Sequence, residues 1–184
     1  MFVGAPLATA AQGLYVSRSG HNISGPFLAY WRRYGGLDTF GYPRTEAFAE
    51  DGRLAQYTER FLLEWAGGRV TTAPLGRALT SGRRFAPVAP VANSATRIFV
   101  AGTEHSLAGP FLASWRTQHG MTLLGAPISE VGREANGDGT GRVYPVQWFE
   151  RGRLEYHAEL AGTRYAVEMG LLGKQALQRR GWLP

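Results

Sequence analysis

The chain has 184 residues, 44% of them apolar and 18% charged, which excludes a disordered polymer and leaves room for one compact domain or two small ones. Its formal charge of +6 is carried almost wholly by arginines scattered beside acids, with Lys174 the single lysine, so a nucleic-acid-binding stripe is not expected. There is no cysteine, which excludes disulfides and thiolate metal sites, and no apolar run reaches the length that crosses a bilayer.

Residues 1–13, "MFVGAPLATAAQG", form an apolar stub without the basic start of a signal peptide. Its "VGAPLAT" echoes "FGYPRTE" and "LGAPISE" further on, as the tail of a preceding unit would. A first unit spans 14–82. Pro26 suits a first helical turn, with Ser24 or Gly25 as cap, because its missing N–H has no partner to lose there. Phe27, Leu28, Trp31 and Tyr34 then share one helical face, and Gly35-Gly36 supplies the left-handed backbone that stops a helix. A tight turn at Gly41-Tyr42-Pro43 leads into a β-hairpin with Asp51-Gly52 at its tip. The next stretch, "QYTERFLLEW", reads either as one strand or as a second hairpin. A short helix from about Pro74 closes the unit, and residues 83–97, rich in proline, alanine and small polar residues, read as a linker.

The second unit, 98–184, repeats the order. A helix opens at Gly109-Pro110 with Phe111, Leu112 and Trp115 on one face and stops at Gly120. The turn Gly125-Ala126-Pro127 and the longer hairpin "EANGDGTGRVYPVQW" follow, and a helix from about Leu171 ends before Gly181. His21, Gly25, Pro26, Phe27, Leu28, Ala29, Trp31 and Arg32 recur 84 positions later. "QYTERFLLEW" and "QWFERGRLEY" match at an offset of 91, and Leu75-Gly76-Arg77 and Leu172-Gly173-Lys174 at 97. Retained order with changed loop lengths marks an internal duplication. One helix and a hairpin bury little alone, so the expected fold is α+β: two pseudo-symmetric units, each a short amphipathic helix, a Gly-x-Pro turn, a β-hairpin and a closing short helix, packed around a shared core.

Leu124-Gly125-Ala126-Pro127, Ser129-Glu130, the glycine-rich loop and "VQWFERGRLEYH" resemble the LGFP tandem repeat of secreted bacterial cell-envelope proteins. The Gly-Pro-Phe-Leu-Ala helix is similar to a longer variant of that repeat. Phe40 stands where the repeat has leucine, and Phe61 where it has the second turn's glycine. The resemblance implies an extracellular, non-catalytic module that associates with cell-envelope polysaccharide.

Aromatic rings stack on sugar C–H faces while carboxylates, amides and guanidiniums bond hydroxyls. Gln56, Tyr57, Glu59 and Arg60 have that composition, and Gln147, Trp148, Glu150 and Arg151 repeat it, so these eight are the candidate ligand contacts. Trp31 and Trp115, on the apolar helix faces, belong to the core instead. Glu59 and Glu150 fit a structural ion pair, through Arg32 and Arg116, better than a catalytic pair, which must flank one glycosidic bond. His21 and His105 read as turn or capping residues, because no second histidine at ligand spacing accompanies them. "EANGDG" opens like a calcium loop, but Pro145 stands where the bidentate glutamate belongs. No metal or cofactor site is therefore expected. The leading expectation is a non-catalytic extracellular module binding envelope polysaccharide or another carbohydrate. The alternatives are a structural subunit of an extracellular assembly such as a filament or surface layer, contacting copies of itself through its apolar termini, and a glycan hydrolase using Glu59 or Glu150.

Overall fold

The computed structural model describes residues 13–183, so most of the apolar stub lies outside the described residues. The fold is α+β, with helices and antiparallel strands in four small sheets. In chain order the first part comprises β1 (Gly13–Val16), β2 (His21–Ser24), α1 (Gly25–Arg33), α2 (Gly36–Phe40), β3 (Phe48–Glu50), β4 (Arg53–Tyr57), β5 (Leu62–Ala66), β6 (Arg69–Thr72) and α3 (Leu75–Leu79). After an irregular stretch come β7 (Arg97–Val100), β8 (His105–Ala108), α4 (Gly109–Thr117), α5 (Gly120–Leu123), β9 (Gly132–Ala135), β10 (Val143–Trp148), β11 (Arg153–Tyr156), β12 (Val167–Met169) and α6 (Leu172–Arg179). β1–β2 and β7–β8 are two-stranded hairpins, whereas β3 to β6 and β9 to β12 form four-stranded meanders in sequence order. Among the described residues no helix is long and apolar enough to cross a membrane.

Three expectations need correction. A hairpin precedes each long helix, so His21 and His105 open strands and do not cap helices. Each histidine instead faces a glutamate, His21 Nδ1 at 3.6 Å from Glu46 and His105 Nδ1 at 3.4 Å from Glu130. The glycines expected to end the helices turn the chain into a second short one. Gly35, at φ 103°, sits at the N-cap of α2, and His119, at φ 55°, does the same for α5. Finally, each β-hairpin is part of a four-stranded sheet, because the ambiguous stretch folds as a second hairpin in both places. Tyr57 pairs with Leu62 and Trp148 with Arg153, across turns closed by Thr58 N–H to Phe61 O at 2.8 Å and Phe149 N–H to Gly152 O at 2.9 Å.

Phe61 is accepted where the other turn has Gly152 because that position needs no left-handed backbone; neither residue has a positive φ. The Phe61 ring is buried edge-on against Phe40. A Cβ on Gly152 would collide with the Leu124 side chain, and Phe61 Cε1 stands 3.5 Å from the same point, an ordinary contact distance between the two turns.

The core has two clusters, and both draw on both parts of the chain. One joins Phe27, Leu28 and Phe61 to Phe111, Leu112 and Leu154; the other joins Tyr57, Leu75 and Leu79 to Trp148, Leu172 and Leu177. The closing helices are exchanged between the parts. The first turn of α3 lies on the β10–β11 turn, where Arg77 N–H donates to Glu150 O at 3.0 Å. The first turn of α6 lies on the β4–β5 turn, where Lys174 N–H donates to Glu59 O at 2.9 Å. These bonds satisfy amides that a helix start leaves without partners. The approach is close because Gly76 and Gly173 have no side chains. A Cβ at Gly76 would collide with the Phe149 carbonyl, and one at Gly173 with the Thr58 carbonyl.

Candidate functional site

The repeated aromatic-polar strands were expected to offer ligand contacts, but four of those eight residues lie inside the protein. Gln56, Tyr57, Gln147 and Trp148 are 0–4% exposed. Gln56 Nε2 donates to Asn22 O at 2.6 Å and Thr45 O at 2.8 Å, and Gln147 Nε2 donates to Ser106 O at 2.7 Å and Ser129 O at 2.8 Å. Each glutamine thus clips a hairpin to a four-stranded sheet and satisfies two carbonyls at once. Tyr57 Oη accepts from Arg180 at 3.1 Å, and the Trp148 indole donates to Glu134 at 3.0 Å, with the guanidiniums of Arg83 and Arg153 over its ring at 5.4 and 4.9 Å. The physical reason for the correction is that these strands are covered on both faces, so consecutive residues are buried and no solvent face exists. Gln147→Leu strands two carbonyls without water, and should destabilise the protein by about 2–4 kcal/mol in urea unfolding.

The two glutamates hold the Gly-x-Pro turns. Tyr42 N–H donates to Glu59 Oε2 at 3.1 Å and Ala126 N–H to Glu150 Oε2 at 3.2 Å. From the opposite side the Trp31 indole donates to Gly41 O at 3.2 Å and the Trp115 indole to Gly125 O at 3.0 Å. Gly41 and Gly125 have φ 72° and 75°, and each carboxylate occupies the space of the absent Cβ. The duplicated Trp, Gly-x-Pro and Glu therefore make one device, a turn gripped between a helix and a hairpin. The expected pairing with Arg32 and Arg116 does not form. Glu150 pairs with Arg77 of α3 at 2.7 Å, and Arg116 donates to Ala95 O at 2.5 Å. Burial pushes the Glu150 carboxyl up, but Arg77 and the Ala126 N–H outweigh it and hold the group below the usual carboxylate range. Arg151 donates to Thr122 O at 3.1 Å. Arg60 donates to Met169 O at 2.8 Å and approaches Glu168 at 3.7 Å.

Open space lies beside Arg60, on both sides of β12. On one side a groove of about 650 Å³ runs between α2, α4 and the segment leading into β12. Tyr165 is 40% exposed at this groove, with the Arg164 guanidinium over its ring at 4.6 Å and Arg164 tied to Asp38 at 2.9 Å. Hydroxyls and an amide from Thr39, Thr117, Thr163 and Gln118 complete its polar lining. On the other side a pocket of about 290 Å³ is lined by Tyr144, Glu155, His157 and Glu159, among others. Arg60, Glu168 and Met169 border both spaces, so the groove and the pocket share a wall.

None of these residues except Arg60 was singled out from sequence, yet a signal existed. The offset between the copies changes from 84 to 91 and then to 97, and each change marks an insertion in the second copy. β3 and β4 are joined by Asp51 and Gly52 alone, but β9 and β10 by residues 136–142. β5 and β6 are joined by Gly67 and Gly68, but β11 and β12 by residues 157–166. Both insertions border the pocket, and the second supplies Tyr165 to the groove. The calcium-like loop is part of the first insertion. Its Asp138 accepts from the Thr140 N–H at 2.7 Å, and among the described residues no group of three or more acidic or histidine side chains is placed to hold a metal. The chain matches no protein-family model and no curated protein.

Proposed function

We propose that this chain is a non-catalytic, extracellular module that binds cell-envelope polysaccharide, built as two pseudo-symmetric LGFP-like units around a shared core. The observation that carries the reading is the groove with an exposed tyrosine ring among hydroxyl, amide and charged side chains. A sugar chain needs that combination: an aromatic face for its C–H surfaces and short polar groups for its hydroxyls. The ligand surface moves from the buried Tyr57 and Trp148 to Tyr165, with Arg60 retained from the original candidates. The engagement of Glu59 and Glu150 in holding turns supports a binding role over hydrolysis at those residues.

Pull-down on isolated cell-wall polysaccharide tests the proposal. The whole chain should be retained, and Tyr165→Ala should weaken retention about tenfold, the effect of losing one stacking ring of 1–2 kcal/mol. Its melting temperature should stay near that of the parent, because the ring is exposed. Failure of the parent chain to bind, or full retention of the Tyr165 variant, would remove the basis for this assignment.

A further inference from the structure

Behind the pocket beside the groove, β11 carries a buried cation that the corresponding part of the first copy lacks. In β5 the sequence runs Leu62, Leu63, Glu64; at the matching places β11 has Arg153, Leu154 and Glu155. Arg153 is 3% exposed and Glu155 4%. They are joined by Arg153 Nε and Nη2 to Glu155 Oε1 at 3.0 and 2.5 Å, and Arg153 approaches Glu134 at 3.8 Å. The first copy has leucine in place of this arginine, and a buried ion pair contributes little to stability, so packing alone does not account for it.

Glu155 extends its other oxygen, Oε2, to 3.8 Å from His157 Nε2. His157 is 8% exposed and packs on the Tyr144 ring at 4.1 Å between centroids. Its Nδ1 lies 3.3 Å from Glu159 Oε1, which also accepts from Tyr144 Oη at 3.0 Å. Its Nε2 is buried and has no hydrogen-bond partner. Asn136 Oδ1, at the same pocket, is a buried acceptor without a partner. Glu168 stands opposite Glu155 in the β11–β12 register. The lining sets Asp138, Glu155, Glu159 and Glu168 against the guanidiniums of Arg60 and Arg142, with Arg153 behind Glu155, so one carboxylate remains in excess in a protein whose net charge is +6.

A pocket with an unmet acceptor and an excess carboxylate recognises a ligand group rich in N–H donors and positive charge, which is a primary ammonium. Its volume, at the small end for ligand pockets, suits one sugar ring and not a chain. We infer that the pocket takes an amino-sugar residue with a free, unacetylated amine, presented by a polysaccharide lying in the adjoining groove. This inference rests on the saccharide reading above. N-acetylation would remove the charge, leave one N–H donor of three, and add an acyl oxygen facing other acceptors.

Calorimetry with the whole chain separates the possibilities, using a glucosamine oligosaccharide, its fully N-acetylated counterpart, and 1,5-diaminopentane as a simple amine. The free-amine oligosaccharide should bind at least about tenfold tighter than the acetylated one, as expected for a charge-assisted contact. Glu159→Gln and Asn136→Ala, both in the pocket lining alone and outside the buried Arg153–Glu155 pair, should each reduce that preference while the acetylated oligosaccharide binds as before. Equal affinity for the two oligosaccharides would overturn the amine assignment and leave the saccharide reading standing. Binding of neither would overturn both. The diamine binding as tightly as the glucosamine oligosaccharide would overturn the sugar assignment. A preference retained in both variants would place the amine elsewhere and overturn the pocket.

Discussion

Replacing Gly76 or Gly173 by alanine should destabilise the protein by about 2–4 kcal/mol each, although both lie in helices, where the same change ordinarily stabilises by about 1 kcal/mol. The sign reverses because the new methyl would enter the carbonyl of Phe149 or of Thr58, and backbone cannot step aside as a flexible side chain can. Relief requires α3 or α6 to lift from the opposite turn, breaking the bond from Arg77 N–H to Glu150 O or from Lys174 N–H to Glu59 O. Gly102→Ala is the control, since nothing stands within 4 Å of its added methyl, and it should shift stability by less than about 0.5 kcal/mol. Urea unfolding of the three variants checks this. Little change in the Gly76 and Gly173 variants would show that the closing helices are not held on the turns so closely.

The second large effect concerns the two parts of the chain. Residues 13–82 expressed alone should show no cooperative thermal transition, and the same holds for residues 83–183. Separated, the first part would expose Phe27, Leu28, Phe61 and Leu63 where they meet Phe111, Leu112 and Leu154. Large apolar side chains are worth roughly 2 kcal/mol each when buried. Losing even half of that burial over five or six of them approaches the 5–15 kcal/mol that separates a domain from its unfolded chain. Specific bonds are lost as well: Thr72 Oγ1 to Leu123 O at 2.7 Å, Arg60 Nε to Met169 O at 2.8 Å and Arg179 Nη1 to Leu79 O at 3.0 Å. Circular dichroism and calorimetry on each fragment are the measurement, and a sharply melting monomer from either would contradict it.

Much of the fold was written in local pattern. The helix faces of Phe27, Leu28 and Trp31, and of Phe111 and Leu112, follow from 3.6-residue spacing. The Asp51-Gly52 tip and the closing helices lie where their turn and repeat signals put them. The candidate site was not legible in this way. Alternation assigns a buried face only when the other face meets water, and Gln56 beside Tyr57, or Gln147 beside Trp148, have no such face. A glutamine that clips two carbonyls and one that contacts a sugar have the same local sequence. The groove and pocket, in turn, come from loops with no motif of their own. What marks them is extra length in one copy, where binding residues are more often carried than in the regular elements.

The contact of Phe61 with Gly152 bears on how freely the two turns can change. They touch one another, so a side chain added at one is felt at the other, and a Cβ at Gly152 would meet Leu124 before it met the ring. Drift in the sequence of either turn is therefore constrained by the opposite half of the chain as well as by its own.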